Sequence, residues 1–182
     1  EIKTRISQGN KAYFANFDIS KSKLISKNVQ FKLYTAIIRP IICYGAETWV
    51  LKVADKLILL TFERKIFRRV LGPIKENGTW RLRRNNELYL KNNKENIVSF
   101  IKSKRLQWFG HTLRMPKGRL PNDILNLKPR GTRPRGRPKG RWEDDVIEDL
   151  REMGIFDLKT TAQDRKKWRK LVEKAKTFHW KS

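Results

Sequence analysis

Hydrophobic residues recur at helical spacing along most of the chain, and the clearest case lies in residues 54–71. Four apolar residues there follow one another at steps of three, four and four positions: Leu59, Phe62, Ile66 and Val70. This spacing places the four side chains on one face of an α-helix. Gly72 and Pro73 come directly afterwards, and both favour the end of a helix. We therefore predict a helix over residues 54–71.

Similar apolar stripes predict helices in most of the remaining chain. The segments are residues 1–17, 28–49, 86–115 and 142–153, followed by a last helix that begins at Thr160 or Thr161. Pro40 lacks an N–H and crowds the preceding turn, so we expect it to kink or break its segment. Trp108 falls on the apolar side of its helix and is expected to point inward. Thr160 and Gln163 have the spacing of a capping box.

The pattern between these helices does not indicate a β-sheet. Residues 74–86 are polar and rich in turn-forming residues, and no alternation of apolar and polar positions persists. Residues 117–141 are rich in proline and glycine, which disfavour helix, and carry a net charge of +8. We therefore predict an all-α chain of three zones: a helical region over 1–116, a basic linker over 117–141, and a C-terminal helical pair over 142–182.

Charge changes the picture more than any other property of the composition. The 182 residues include 43 Lys and Arg against 18 Asp and Glu, which gives a formal net charge of +25 and a pI near 10.6. Such an excess attracts polyanions. With 38% hydrophobic residues the chain can still build a core. No apolar run approaches the ~20 residues of a membrane span, and the first residues lack the apolar stretch of a secretory signal.

Metal and nucleophile chemistry find little support in the sequence. The chain has one cysteine, Cys43, and two histidines, His111 and His179, which excludes a multi-cysteine zinc knuckle. We expect Cys43 to lie in the core and assign His111 no catalytic role. A group of five acidic residues invites a two-metal interpretation: Glu143, Asp144, Asp145, Glu148 and Asp149. Their helical spacing instead predicts that they face solvent or the basic linker, because Trp142, Val146 and Leu150 take the inward side.

The most specific short motif lies in residues 133–139, with the sequence RPRGRPK. Arg-Gly-Arg between prolines forms a narrow extended ribbon, which suits the minor groove of A·T-rich DNA as an AT-hook does. Arg135 and Arg137 would be the minor-groove pair. The alternative is a basic linker that contacts phosphates without sequence preference.

Further basic clusters lie on the predicted helices. Arg64, Lys65, Arg68 and Arg69 form a second face on helix 54–71, where like charges four positions apart repel one another. This cost favours a phosphate-facing side, and a solvated face is the alternative. Lys102, Lys104 and Arg105 lie near Trp108, and Arg81, Arg83 and Arg84 lie near Trp80. An aromatic residue beside basic residues can stack on a base, although a Trp in a helix is more often part of a core.

Five segments, taken in order, resemble the C-terminal part of reverse transcriptases from non-LTR, LINE-like retrotransposons that carry an apurinic-type endonuclease. They are LYTAIIRPIICYGAETW at 33–49, FERKIFRRVLGP at 62–73, RLQWFGHTLRMP at 105–116, RPRGRPKGRWEDDVIEDLREMG at 133–154 and AQDRKKWRKLV at 162–172. Together they cover nearly the whole chain. The resemblance implies that residues 1–116 are a helical thumb with its extension, which holds the template–primer duplex, and that residues 142–182 are a helical appendage.

The same resemblance implies that the chain has no catalytic residues of its own. The family's catalytic aspartates, in an aromatic-x-Asp-Asp signature, lie in an upstream strand-turn-strand of the palm. Asp144 and Asp145 instead follow Trp142 and Glu143 at a predicted helix start. We expect no cofactor in this chain, since Mg²⁺ would be bound by the absent palm. The Arg-Gly-Arg ribbon is common at this place in the family, which favours general nucleic-acid contact over a dedicated AT-hook.

These observations lead to the expectation of a nucleic-acid-binding fragment of a retrotransposon RNA-directed DNA polymerase. The expected partners are a DNA duplex or RNA–DNA hybrid and an upstream palm, without a membrane or a small-molecule substrate, and the expected location is the nucleus. The alternatives are an AT-hook-type chromatin protein, a residual metal-dependent nuclease and a non-functional transposon remnant. The residues expected to bind nucleic acid are Arg64, Lys65, Arg68, Arg69, Lys102, Lys104, Arg105, Arg133, Arg135, Arg137, Lys139 and Arg141.

Overall fold

The computed structural model describes residues 1–22, 24–90, 95–127 and 141–180, and this part of the chain is mostly helical. The α-helices are α1 (Ile2–Ala15), α2 (Phe17–Lys21), α3 (Lys27–Leu33), α4 (Arg39–Ile42), α5 (Val53–Leu71), α6 (Asn85–Leu90), α7 (Ile97–Leu113), α8 (Leu120–Asn126), α9 (Trp142–Glu152), α10 (Leu158–Gln163) and α11 (Arg165–Thr177). A π-helical turn, Tyr34–Ile38, precedes α4, and a 3-10 turn, Ala46–Thr48, follows it. Two short strands form a hairpin, β1 (Ile74–Glu76) and β2 (Thr79–Arg81).

The chain folds into two compact units that are not continuous in sequence. Unit 1 contains residues 1–46 and 51–98, and unit 2 contains residues 47–50 and 99–182. The three zones expected from charge are a different division of the chain and stay a prediction. No helix in the described ranges is both long and apolar enough for a membrane span.

The core of unit 1 is built around the predicted apolar face of α5. Leu59, Phe62, Ile66 and Val70 are all buried on that face, as the spacing of three and four positions required. Phe67 lies beside them, and its ring meets the ring of Tyr34 edge-on at a centroid distance of 5.1 Å. Edge-to-face packing of this kind adds to the free energy gained by burial alone. The helix predicted over 54–71 is therefore confirmed within one residue.

Pro40 does not break its helical segment. It lies inside α4, directly after the π-helical turn. The N–H of Arg39 donates to the carbonyl of Tyr34, five residues back, so the backbone is wider here than in an α-helix. Since Pro40 has no N–H to continue the usual ladder, the adjoining π-turn is a reasonable local solution.

A β-hairpin in residues 74–81 corrects the expectation that this stretch is only a turn-rich loop. Its strands are antiparallel, with Lys75 opposite Trp80 and Glu76 opposite Thr79. Asn77 and Gly78 both have positive φ, at 47° and 83°, as a tight hairpin turn requires. Each strand has only three residues, which is too short for an alternating pattern to be visible.

The core of unit 2 joins α7, α9, α10 and α11. Its buried members are Leu106, Phe109, Val146, Leu150, Met153, Ala162, Trp168, Leu171, Val172 and Ala175. Trp168 is central, because its indole packs against α7 at Gly110 and donates from Nε1 to the carbonyl of Leu106 at 2.9 Å. Trp108, by contrast, is 40% exposed, so the expectation that it points inward was wrong.

Two further expectations for unit 2 are corrected by the helix ends. Residues 120–126 form α8 inside the segment expected to be a linker. Thr160 is not an N-cap, since Asp157 caps α10 through the N–H of Thr160 and Asp164 caps α11 through two backbone N–H groups. Aspartate is among the strongest N-cap residues, which explains why it prevails over the Thr160-x-x-Gln163 pattern.

Candidate nucleic-acid interface

A cationic cleft of about 490 Å³ lies between α7 and α11 in unit 2. Its charged lining consists of five cations and one carboxylate: Lys104, Arg114, Arg165, Arg169, Lys176 and Glu173. Glu173 is paired with Lys176 at 2.8 Å and also interacts with the charge of Arg169, so the lining carries five positive charges against one negative charge. We call this feature the α7–α11 cleft. Its charge favours a polyanion over the largely apolar ligands that ordinary small-molecule pockets take.

The α7–α11 cleft follows from the way α11 packs. Trp168 and Val172 face the core and form the apolar part of the lining, together with Phe100 of α7. Arg165 and Arg169 are one helical turn apart, so both project along the same edge of α11. Asp164 accepts from the N–H groups of Lys166 and Lys167 at 2.9 and 3.0 Å and thereby fixes where this helix begins.

Arg114 is a cleft cation that is bonded to the backbone of α10. Its Nη1 donates to the carbonyl of Ala162 at 2.7 Å. Partial burial lowers the pKa of Arg114, and the nearby positive charge of Arg165 lowers it further. The two guanidinium groups therefore destabilise each other in the free protein. A bound anion would relieve this repulsion, as is common where phosphates bind.

The distribution of charge within unit 2 explains how a nearly neutral segment can present a cationic surface. Residues 142–182 carry a net charge of only +1, yet six of their nine acidic residues lie on α9. Residues 165–177 contain seven basic residues and only one acidic residue, Glu173. The net charge of the whole zone, residues 142–182, hides the separation of acidic residues on α9 from basic residues on α11. A count of charges over α11 alone reveals it. Arg165, Arg169 and Lys176 were missed for this reason, whereas Arg114 lies outside this zone, directly after α7.

Two of the residues expected at a nucleic-acid surface are instead buried in unit 2. Lys102 and Arg105 have side chains that are 2% and 1% exposed. Lys102 pairs with Asp149 at 2.6 Å, and Arg105 pairs with both Asp149 and Asp145. These ion pairs join α7 to α9. The expectation that Lys102 and Arg105 bind nucleic acid at the surface is therefore corrected. Lys104, between them, is exposed and lines the α7–α11 cleft.

The acidic cluster is corrected in the same way. Asp145 and Asp149 share a face of α9, as their spacing predicted, but this face meets Lys102 and Arg105 rather than solvent or the linker. Asp144 and Glu148 are exposed. Among the described residues, no group of three or more His, Cys, Asp or Glu is arranged to hold a metal ion.

The basic face of α5, in unit 1, is only partly available. Lys65 and Arg69 are exposed, and the Arg69 guanidinium lies 5.1 Å from the ring centre of Tyr13. Arg68 donates to Asn85 at 2.7 Å and also reaches the carbonyl of Arg83. Arg64 is half-buried beside Tyr89. Contact of these four residues with nucleic acid stays a prediction.

The remaining predicted contacts lie in or next to the ribbon. Arg133, Arg135, Arg137 and Lys139 fall outside the described residues. Arg141 is described, is exposed, and takes the N-cap position of α9. Cys43 is half-buried, and burial raises its pKa to about 12, so the thiol is a poor nucleophile. His111 is exposed on α7 and makes a ring contact with Trp108.

Comparison with known proteins gives one informative match. The chain is 24% identical over 181 residues to an uncharacterized transposon-derived protein of Caenorhabditis elegans. The aligned region covers 94% of this chain and 65% of that protein, so the chain spans less than two thirds of its relative's length. This similarity indicates a transposon-related origin. No protein-family model and no solved structure matches the chain.

Proposed function

We propose that this chain is a nucleic-acid-binding fragment of a retrotransposon RNA-directed DNA polymerase, and that its α7–α11 cleft contacts the sugar-phosphate backbone. The observation that carries the binding proposal is the convergence of Lys104, Arg114, Arg165 and Arg169 on one cleft in which a single carboxylate is already paired. The five reverse-transcriptase-like segments and the transposon-derived relative support the origin. The polymerase activity itself would belong to an upstream palm. The palm and this chain would act together in the nucleus.

The cleft favours binding that does not depend on sequence. Arginine and lysine side chains reach phosphate oxygens, which are the same at every base pair. A helical thumb that grips a template–primer duplex would need this property. We therefore propose that duplex DNA and RNA–DNA hybrids bind with similar affinity. The ribbon at 133–139 would add further phosphate contacts, or A·T preference if it acts as an AT-hook.

The test is a pair of charge reversals on the same helix. Arg165→Glu/Arg169→Glu places two carboxylates in the cleft, while Lys166→Glu/Lys170→Glu makes the same charge change at exposed α11 positions outside its lining. Fluorescence anisotropy with a labelled 20-base-pair duplex would measure Kd between 50 and 300 mM salt. For the wild type, phosphate contacts by the four cations Lys104, Arg114, Arg165 and Arg169 predict a log–log slope of about −4.

The cleft variant should bind at least tenfold more weakly and lose about two units of that slope, because each lost phosphate contact removes about one. The control variant should lose much less. Equal losses in both variants would show that affinity follows total charge and not the cleft. A wild-type slope near zero would remove the electrostatic basis of the proposal. Repeating the titration with A·T-rich and G·C-rich duplexes separates an AT-hook contribution from plain charge.

A further inference from the structure

We propose that the β1–β2 hairpin of unit 1 is a stacking platform for an unpaired nucleobase, with Trp80 as the platform and Lys75 as the contact for a neighbouring phosphate. The ligand class is a single-stranded polynucleotide. The choice of nucleic acid as the polymer rests on the function proposed above. The site itself rests on separate observations, which concern a different unit of the molecule.

The first observation is the exposure of a large aromatic side chain. Trp80 is 69% exposed, and Leu82, two residues further on, is 73% exposed. Residues two apart on a strand point to the same face, and residues directly opposite on paired strands also share a face. Lys75 is opposite Trp80 and is itself exposed. One face of the hairpin therefore presents an indole and an ammonium group to solvent, and the exposed Leu82 follows directly after β2.

The second observation is that the acidic residues of this region lie on the other face. Glu76 and Arg81 point away from Trp80, and Arg81 is paired with Glu76. Arg81 also forms a two-bond contact with Glu87 of α6, at 3.0 and 2.8 Å. Both carboxylates are thus paired with Arg81 and not with a residue on the face of the indole. The face that carries Trp80 is left with the positive charge of Lys75, which complements a phosphate.

The third observation is that the platform is held in place before any ligand binds. The tight turn at Asn77 and Gly78 fixes the strand register. The Arg81 bonds to Glu87 tie the hairpin to α6. Arg83 is buried, and its Nε donates to the carbonyl of Gly72 at 3.0 Å, which joins the two ends of the hairpin. A strand whose backbone is already fixed loses little conformational entropy on binding, so more of the stacking energy appears as affinity.

These features favour a single strand over a duplex. The bases of a duplex are already stacked on one another, whereas an unpaired base can offer its face to an aromatic ring. Stacking of this kind tolerates any base, because every base has a π-face. The indole and the ammonium group therefore match a base and its adjoining phosphate, and do not require a particular sequence.

The experiment measures the affinity of the full chain for a labelled 20-nucleotide oligothymidylate and for a 20-base-pair duplex. Trp80→Ala should weaken single-strand binding roughly 5- to 100-fold and leave duplex binding unchanged. Trp80→Phe should retain most of the affinity, because it keeps an aromatic face. Leu82→Ala is the matched control, since it removes a similarly exposed apolar side chain two residues from Trp80 without removing a π-system. An oligonucleotide of abasic sites should bind the wild type and Trp80→Ala equally.

Each other outcome has a distinct meaning. An equal loss in Leu82→Ala and Trp80→Ala would overturn the stacking proposal, because the affinity would then follow exposed apolar area and not the π-face of the indole. Unchanged single-strand binding in Trp80→Ala would also overturn it, while the loss in Arg165→Glu/Arg169→Glu would leave the cleft proposal standing. If the wild type binds neither probe, the function proposed above fails together with this one. Circular dichroism confirms that the variants are folded, which is expected because Trp80 is mostly exposed.

Discussion

Each of the two units buries a carboxylate on a helix, and the two carboxylates are satisfied in opposite ways. In unit 1, Glu63 is completely buried on α5. It accepts hydrogen bonds from the hydroxyl groups of Tyr34 and Tyr89, at 2.9 and 3.1 Å, and from the N–H of Ile97 at 2.9 Å. All three donors are neutral. Burial raises the pKa of Glu63 to about 7 despite these bonds.

In unit 2, the buried carboxylate of Asp149 faces two cations instead. Lys102 and Arg105 both pair with it, and the Lys102 ammonium also lies 3.8 Å from the ring centre of Trp180. Arg105 donates in addition to the carbonyl of Trp49 at 3.1 Å. The comparison shows two solutions to one problem. Glu63, with neutral donors, has a charge that depends on pH near 7, whereas the two buried cations of unit 2 depend on Asp149 for their compensating charge.

The largest effect is expected from removing the acid of unit 2. Asp149→Ala would leave Lys102 and Arg105 buried with only part of their compensating charge, which costs about 3–5 kcal/mol of the free energy of unfolding. Urea titration followed by circular dichroism measures this change. Asp144→Ala, at an exposed position on the same helix, should change stability by less than about 0.5 kcal/mol. A loss below about 1 kcal/mol in Asp149→Ala would mean that the network does not hold α7 and α9 together.

The next effect concerns pH and belongs to unit 1. Between Glu63's ordinary pKa of 4.5 and its folded pKa of about 7, the folded chain holds more protons at this residue than the unfolded chain. Its contribution to stability is therefore complete below pH 4.5 and is lost as the pH rises through 7. Glu63→Gln cannot titrate. The stability difference between wild type and Glu63→Gln should accordingly fall by about 2 kcal/mol from pH 5 to pH 7.

Urea titrations at pH 5, 6 and 7 provide the measurement, and taking the difference between the two proteins cancels the other titrating groups. A difference that stays constant with pH would show that Glu63 keeps its ordinary pKa in the folded chain. The distinction drawn between the two units would then not hold.

The smallest effect compares a close helix contact in each unit. A Cβ at Gly110 would overlap the rigid indole of Trp168, while a Cβ at Gly9 would lie 2.6 Å from Cγ1 of Ile42, whose end can move. Gly110→Ala should therefore cost about 1–2 kcal/mol, since overpacking outweighs the gain in helix propensity. Gly9→Ala should cost less than Gly110→Ala. Thermal unfolding of both variants tests the order, and a larger loss in Gly9→Ala would contradict it.

The sequence predicted those elements whose signal is local. The bounds of α5 follow from one apolar stripe and from Gly72 and Pro73 at its end. The hairpin has a local signal too, Asn77-Gly78, which is typical of a two-residue turn, but its strands of three residues are too short to show alternation. The N-cap of α11 could also have been found at Asp164, because aspartate is a stronger cap than a threonine three residues before a glutamine.

The candidate site was harder to predict, because tertiary contacts decide which of its basic residues are buried and which are exposed. Lys102, Lys104 and Arg105 look alike in sequence, yet only Lys104 reaches the surface. The acids that draw in the other two lie 40 residues or more further along the chain, at Asp145 and Asp149. No periodicity within α7 contains that information. The basic edge of α11, by contrast, was visible in a count over residues 165–177 and was obscured by averaging over a longer zone.

The short segment 47–50 has a consequence for how this molecule can be divided. It belongs to unit 2 although the residues on both sides of it belong to unit 1. Its carbonyls at Glu47 and Trp49 accept from the indole of Trp142 and from Arg105, at 2.6 and 3.1 Å. A gene truncated to encode only residues 99–182 would produce a polypeptide with these two donors stripped of their acceptors. A single cut after residue 98 therefore keeps all of unit 1 on one fragment but separates segment 47–50 from the rest of unit 2.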